Sequence, residues 1–403
     1  MTHTPKIPLF PRELLDQPNE ARRDYFRAYT VAHPTLATMD RAVWNAIHEP
    51  AGALLILVIG PTGVGKTTLL DHLEHRLCEE ALPRLAQNPG QLPVVKLLAA
   101  TSATRQFKWA DFFTRSLLAV REPLVDFKVD PQAEAFKAHL SSFTPKNRAD
   151  AATLQLSWEH ALYYRRPMAV LIDEAQHLGK IGRGSSLLDQ LDHLKSLAIL
   201  TNTVYVLAGT YELLAFRNLS AQLSRRSIDI HFPRYRATNK EDVRAFKTVL
   251  QAFQRHLPVE EMPDLVSRWQ ECYACTAGCI GLLKEWLLKA LAEALETKLN
   301  TISQELLAHH TPSLARREQM LTEIEEGEQG FTYDDAAEED LRKRMGLPRR
   351  SLTPGADTAT PKEADKAQET PQKRTVPVGH RPPVRDPVKG GRDPDGKASE
   401  RIV

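Results

Sequence analysis

Short aliphatic runs alternate with amphipathic stretches through the first half of the chain. ALLILVIG (53–60), PVVKLLAAT (93–101), PMAVLIDE (167–174) and TVYVLAGT (203–210) are each short and nearly continuous in apolar residues. That pattern predicts strands buried on both faces. Between them, apolar side chains recur at helical spacing. Leu36, Met39, Val43 and Ile47 predict a helix over 34–47. Further helices are expected over 66–81, 106–120 (Phe107, Phe112, Phe113, Leu117, Val120), 150–164 and 185–199 (Leu187, Leu188, Leu191, Leu194, Leu197). Strand and helix in alternation predict a parallel sheet covered by helices on both faces.

From about residue 238 the pattern is purely helical. Thr238 or Asn239 is the candidate cap of a helix reaching His256, and 263–310 continues as Leu- and Ala-rich helices. Residues 121–150 are rich in Pro, Asp, Lys and Ser and read as a partly irregular insertion. Residues 347–403 hold nine prolines and no aromatic residue. Such a segment buries too little apolar surface to offset its ordering entropy and is expected to be disordered. The expected division is an extension (1–33), an α/β domain (34–236), a small helical domain (237–312), a charged helical linker (313–346) and the tail (347–403).

Composition changes this picture little. The 403 residues exceed one compact core, and the net charge is +2. The tail carries 12 Lys/Arg against 8 Asp/Glu, so the rest of the chain is slightly acidic. A polyanionic partner would have to meet a local basic stripe. Four cysteines are too few for a disulfide framework, and the N-terminus lacks a signal-peptide core. No apolar run is long enough to span a bilayer. A cytoplasmic protein without membrane contact is expected.

The chemistry lies at the strand ends. GPTGVGKTT (60–68) fits G-x-x-x-x-G-K-[ST], placed between a strand and a helix. Gly60, Gly63 and Gly65, with Thr62 and Val64 between them, are expected to form a loop whose backbone N–H groups converge on a polyphosphate, because glycine leaves no Cβ in the way. Pro61, which has no N–H, shapes the loop. Lys66 is assigned to the β/γ-phosphates, Thr67 to Mg²⁺, and Thr62 and Thr68 to the walls. AVLIDEAQHL (169–178) ends a buried strand on two carboxylates: Asp173 for Mg²⁺, Glu174 for the attacking water. Thr210, at the tip of VYVLAGT, is a candidate contact to the γ-phosphate or the water. In QLSRRSIDIHF (222–232), Arg225 or Arg226 is a candidate for the nucleotide of a neighbouring subunit, with no ground for choosing between them. Cys272, Cys275 and Cys279 form C-x₂-C-x₃-C, but without a fourth ligand nearby they read as core cysteines rather than a zinc site.

These pieces, in this order, resemble the AAA+ ATPases. HPTLATMDRAVWNAI, GPTGVGKTT, IDEAQHL, VLAGT and QLSRRSIDIHFPRY together resemble the TnsC/TniB regulators of DNA transposition, over roughly residues 30–300. The resemblance implies an AAA+ P-loop domain followed by a helical lid. It implies ATP and Mg²⁺ as ligands, ATP hydrolysis, and assembly as rings or filaments on double-stranded DNA. It also implies a transposase and a target-selection protein as partners. Thr210 becomes the first sensor and Lys284, in GCIGLLKEW, stands where other lids often carry Arg. Arg105, Lys108, Lys146 and Arg148 are candidate DNA-phosphate contacts. The rival readings are another AAA+ motor, such as a helicase loader or secretion ATPase, and a nucleotide switch without significant hydrolysis.

Overall fold

The structure is a computed structural model that describes residues 9–101, 106–125, 128, 150–180, 187–215, 227–331 and 335–347. Two units divide the chain, Met1–Tyr333 and Asp334–Val403. Within the second, one helix, Asp335–Arg344, is described. The expected tail disorder and most of the 121–150 insertion lie outside the described residues.

The first unit opens with a short 3₁₀ turn and helix α1 (Asn19–Ala28), then α2 (Pro34–His48). The α/β series follows as β1 (Leu55–Ile59), α3 (Lys66–Gln87), β2 (Val94–Leu98), α4 (Trp109–Ala119) and α5 (Ala151–Arg165). It continues with β3 (Ala169–Asp173), α6 (Leu187–Thr201), β4 (Val204–Gly209) and β5 (Ser227–His231). Helices α7 (Lys240–His256), α8 (Trp269–Thr276), α9 (Ile280–Glu296), α10 (Gln304–His309) and α11 (Leu314–Gln329) complete the unit.

All five strands are parallel, in the order β2-β3-β4-β1-β5. The apolar runs supply the four inner and edge strands expected from periodicity. The fifth, SIDIH, was not among them. It alternates and is only half buried, because it lies at the sheet edge beside β1. Helix α3 runs six residues beyond the expected Ala81, carrying Pro83 within it.

Each face of the sheet has its own core. Phe112, Phe113, Leu117, Trp158 and Leu194 pack on one side, and Val43, Leu69, Leu70 and Leu73 on the other. Every residue of β1 is buried, each aliphatic contributing about 1.5–3 kcal/mol. The rigid strand therefore delivers its C-terminal loop to a fixed place. The helical part has a third core, built from α7 to α10. Phe26 and Val31 belong to that core, so the N-terminal segment is packed into the helical part rather than left as a loose arm. His33 Nδ1 accepts from Leu36 N and caps α2, while Tyr235 O–H donates to the same nitrogen.

Candidate nucleotide site

The carboxyl ends of three adjacent strands, β3, β4 and β1, meet at one edge, the position where open parallel sheets take ligands. Gly60 leaves β1, and its N–H donates to Gly209 O at the end of β4. Gly65 adopts φ 116°, a left-handed conformation that only glycine takes without strain, and turns the chain into α3. The first turn of α3 thus points its N–H groups and its positive dipole end toward the loop.

Lys66 lies under this loop, buried, with Nζ donating to Gly60 O at 3.0 Å and Pro61 O at 2.8 Å. Burial lowers its pKa to about 8, although Glu174, Asp173 and the Cys279 sulfur pull the other way. The buried ammonium hydrogen-bonds to two carbonyls and is only partly compensated by the nearby carboxylates, and a phosphate would relieve it. Thr67 Oγ1 donates to Asp173 Oδ2 at 2.7 Å. Asp173, the last residue of β3, is itself buried and its other oxygen accepts from Glu174 N at 2.9 Å. A hydroxyl and a carboxylate at that separation suit a hard, oxygen-binding cation such as Mg²⁺.

Glu174 has φ 54°, an uncommon left-handed conformation for a non-glycine residue, and caps the 3₁₀ turn Ala175–Gly179. Its Oε2 accepts from Gln176 Nε2 at 2.6 Å. Gln176 is buried, and its Oε1 accepts from the backbone N–H of Thr210 at 3.2 Å. One amide therefore ties the acid to the strand tip beside it. The quoted stretch IDEAQHL contained this residue, but sequence reading gave it no role. A polar side chain two places after the acid, among apolar neighbours, was the available signal. Thr210 Oγ1 is shielded from solvent and has no hydrogen-bond partner among the described residues. An orphaned hydroxyl beside the loop fits a site that a phosphate completes.

The helical part closes on the loop. Gly281 N donates to Gly63 O at 2.6 Å, and a Cβ on Gly281 would come within 2.6 Å of that oxygen. The start of α9 therefore touches the phosphate loop directly. Lys284, one turn on, lines a narrow enclosure with Tyr29, Thr30, Val31, Gly65 and Thr68, and its Nζ donates to Arg27 O at 2.6 Å. Helix α11 lies across the other side. With Pro61, Thr62, Thr210 and Glu212, its Met320, Glu323, Ile324 and Gly327 bound a cavity of about 470 Å³. Gly327 sits against the Tyr211 ring with no room for a Cβ. Arg234 pairs with Glu328 at 3.0 Å, both side chains nearly buried, and also donates to Tyr273 Oη and Ala277 O.

Residues 47–216 match the family described as an AAA domain. This stretch is similar to that domain. It spans the phosphate loop, β3 with its two carboxylates, and Thr210. No curated protein is significantly similar in sequence to the chain. Among solved structures, the ORC2 protein of Aeropyrum pernix in ADPNP–ADP complexes is similar over 82% of this chain and 86% of its own. The identity there is 16% and the TM-score 0.48. The Aeropyrum pernix ORC1 protein in complex with DNA is similar over 72% of this chain and 68% of its own, with 17% identity and TM-score 0.47. A Walker-type ATPase of Pyrococcus abyssi is similar over 77% and 75%, with 15% identity and TM-score 0.40.

The matched stretch brings together Gly60, Gly63, Gly65, Lys66, Thr67, Asp173, Glu174 and Thr210. Arg225, Arg226, Arg105, Lys146 and Arg148 lie outside the described residues. Lys108 is exposed, immediately before α4. The cysteines read as core: Cys272, Cys275 and Cys279 are buried, and among the described residues they form no group of converging metal ligands. Burial pushes the Cys279 thiol up to about 12. No described helix is long and apolar enough to cross a membrane.

Proposed function

We propose that the protein is a Mg²⁺-dependent ATPase that oligomerises on double-stranded DNA and links a target-selection protein to a transposase. The observation that carries the ATPase part is the convergence of Lys66, Thr67, Asp173 and Glu174 on one end of the sheet. In this reading the loop N–H groups from Gly63 to Thr68 and the Lys66 ammonium bind the triphosphate. Thr67 and Asp173 hold Mg²⁺, which when bound neutralises charge on the β- and γ-oxygens. Glu174, its carboxylate fixed by Gln176, orients and deprotonates the attacking water. Thr210 offers its hydroxyl to the γ-phosphate or the water. Arg225 or Arg226 of a neighbouring copy supplies charge to the transition state. Lys284, at the lid, takes the second-sensor role.

The transposition role is supported by the run of motifs that resembles TnsC/TniB regulators. On it, Arg105, Lys108, Lys146 and Arg148 track DNA phosphates, residues 237–312 act as the lid, and the protein works in the cytoplasm. Phosphate release from ATP, with and without duplex DNA, tests the reading, together with negative-stain imaging of ATP-dependent filaments on bare duplex. ATP-dependent filaments and a rate that falls in Glu174→Gln are expected. Equal rates in both proteins would leave a nucleotide switch; no assembly on duplex would remove the transposition role.

A further inference from the structure

In the helical part, three ligand-type side chains come together. Glu293 lies on α9, His309 ends α10, and His310 follows it. Glu293 Oε2 is 3.0 Å from His309 Nδ1 and 2.6 Å from His310 Nε2. All three ligand atoms lie within 4.8 Å of one another. His310 Nε2 is shielded from solvent and faces the Glu293 carboxylate at 2.6 Å. Two imidazole nitrogens and a carboxylate oxygen this close together can share a cation.

We propose that Glu293, His309 and His310 form a site for one divalent d-block cation, with Zn²⁺ the best fit. Two imidazoles and one carboxylate are a borderline-soft donor set that Zn²⁺ takes, leaving a fourth position to water. Bonds of about 2.0–2.2 Å set tetrahedral ligands roughly 3.4 Å apart, inside the spread of spacings here, so small side-chain rotations close the site. The backbone beneath is held. Trp286 Nε1 donates to Leu307 O at 3.2 Å, fastening α10 to α9, and Leu306 and Leu307 are buried between them. His310 also lines a cavity of about 250 Å³ with Thr62, Trp286, Arg316 and Met320. The ion would therefore pin the last turn of α9 to the corner that leads into α11, whose other end walls the cavity at the phosphate loop. This inference does not depend on the nucleotide reading.

The full chain, prepared without a histidine tag, stripped with a chelator and free of nucleotide, is titrated with zinc chloride by calorimetry. Cobalt chloride, followed by visible absorption, reports the donors. One equivalent of each is expected to bind saturably, with a cobalt spectrum free of sulfur charge-transfer bands. Glu293→Gln and His310→Gln should each weaken binding by at least about tenfold, while Cys275→Ser binds as wild type. These positions are at the surface or its edge, and circular dichroism checks that each variant folds. No saturable uptake, binding unchanged in both ligand variants, or a sulfur-bound cobalt spectrum would each overturn the site.

Discussion

Thr67 Oγ1 and Asp173 Oδ2 stand 2.7 Å apart, joining the first turn of α3 to the last residue of β3 across 106 positions of sequence. The pair forms because β1 and β3 end at the same edge of the sheet, with β4 between them. If this pair holds Mg²⁺, Asp173→Asn removes a charged ligand but keeps the shape. The half-saturating Mg²⁺ concentration for ATP hydrolysis should rise about 10–100-fold. A magnesium titration of phosphate release decides it; an unshifted curve would take Asp173 out of the metal site.

Gln176 spans Glu174 and Thr210, so the acid's carboxylate is held from behind. Glu174→Gln should lower kcat by about 10²–10⁴-fold with ATP affinity retained. Gln176→Ala leaves the acid in place but unpositioned, and a fall of about tenfold in kcat at near-constant KM is expected. Steady-state kinetics separate the two. A rise in KM with kcat preserved would make Gln176 a residue of the loop's packing instead.

Much of this was legible in the chain because the signals are local. A strand, a glycine loop and a helix in succession carry their own context, so Lys66 and Thr67 could be read without a structure. Asp173 and Glu174 were marked by four aliphatics before them. The edge strand SIDIH escaped because half-exposed alternation over five residues looks like many loops. Gln176 and the approach of Gly281 to Gly63 escaped for another reason. Each is a relation between segments far apart in sequence, and no periodicity within either segment encodes it. Likewise, residues 1–33 look merely polar, since Phe26 and Val31 declare their burial only against α7 and its neighbours.

Gly281 tests the contact between the helical part and the loop. In an ordinary helix Gly→Ala gains about 1 kcal/mol. Here the added Cβ would meet the Gly63 carbonyl, a backbone atom that cannot rotate away. Gly281→Ala should therefore lose nucleotide affinity, by about tenfold, rather than gain stability. Binding of a fluorescent ATP analogue measures it, and wild-type affinity would show that nucleotide binding does not need this approach.

Lys66 makes nucleotide binding depend on pH. Burial sets its pKa to about 8 in the nucleotide-free protein, against about 10.5 in the unfolded chain. Between these values the unfolded chain binds more protons, so this group makes stability rise with pH across that window. Binding runs the opposite way. Phosphate holds the proton on Lys66, so above pH 8 each bound ATP must take one up. Affinity should fall by up to about tenfold per pH unit there. Calorimetry in buffers of different ionisation heat reads the proton directly, and no uptake at pH 9 would contradict a charged Lys66 on the phosphates.

His33 gives the complementary acid sensitivity. Its ring is buried between the start of α2 and Tyr235, and burial lowers its pKa to about 4 from about 6.5. Between those values the unfolded chain carries the proton and the folded chain does not. Stability is therefore complete above pH 6.5 and is lost as pH falls towards 4, by up to about 3 kcal/mol. Protonation would also remove the lone pair that accepts from Leu36 N, so α2 loses its cap in the same step. His33→Asn keeps a capping oxygen without a titrating group. Urea unfolding at pH 7 and pH 5 should show a smaller difference for this variant than for wild type. The same difference in both proteins would assign the acid sensitivity to other groups.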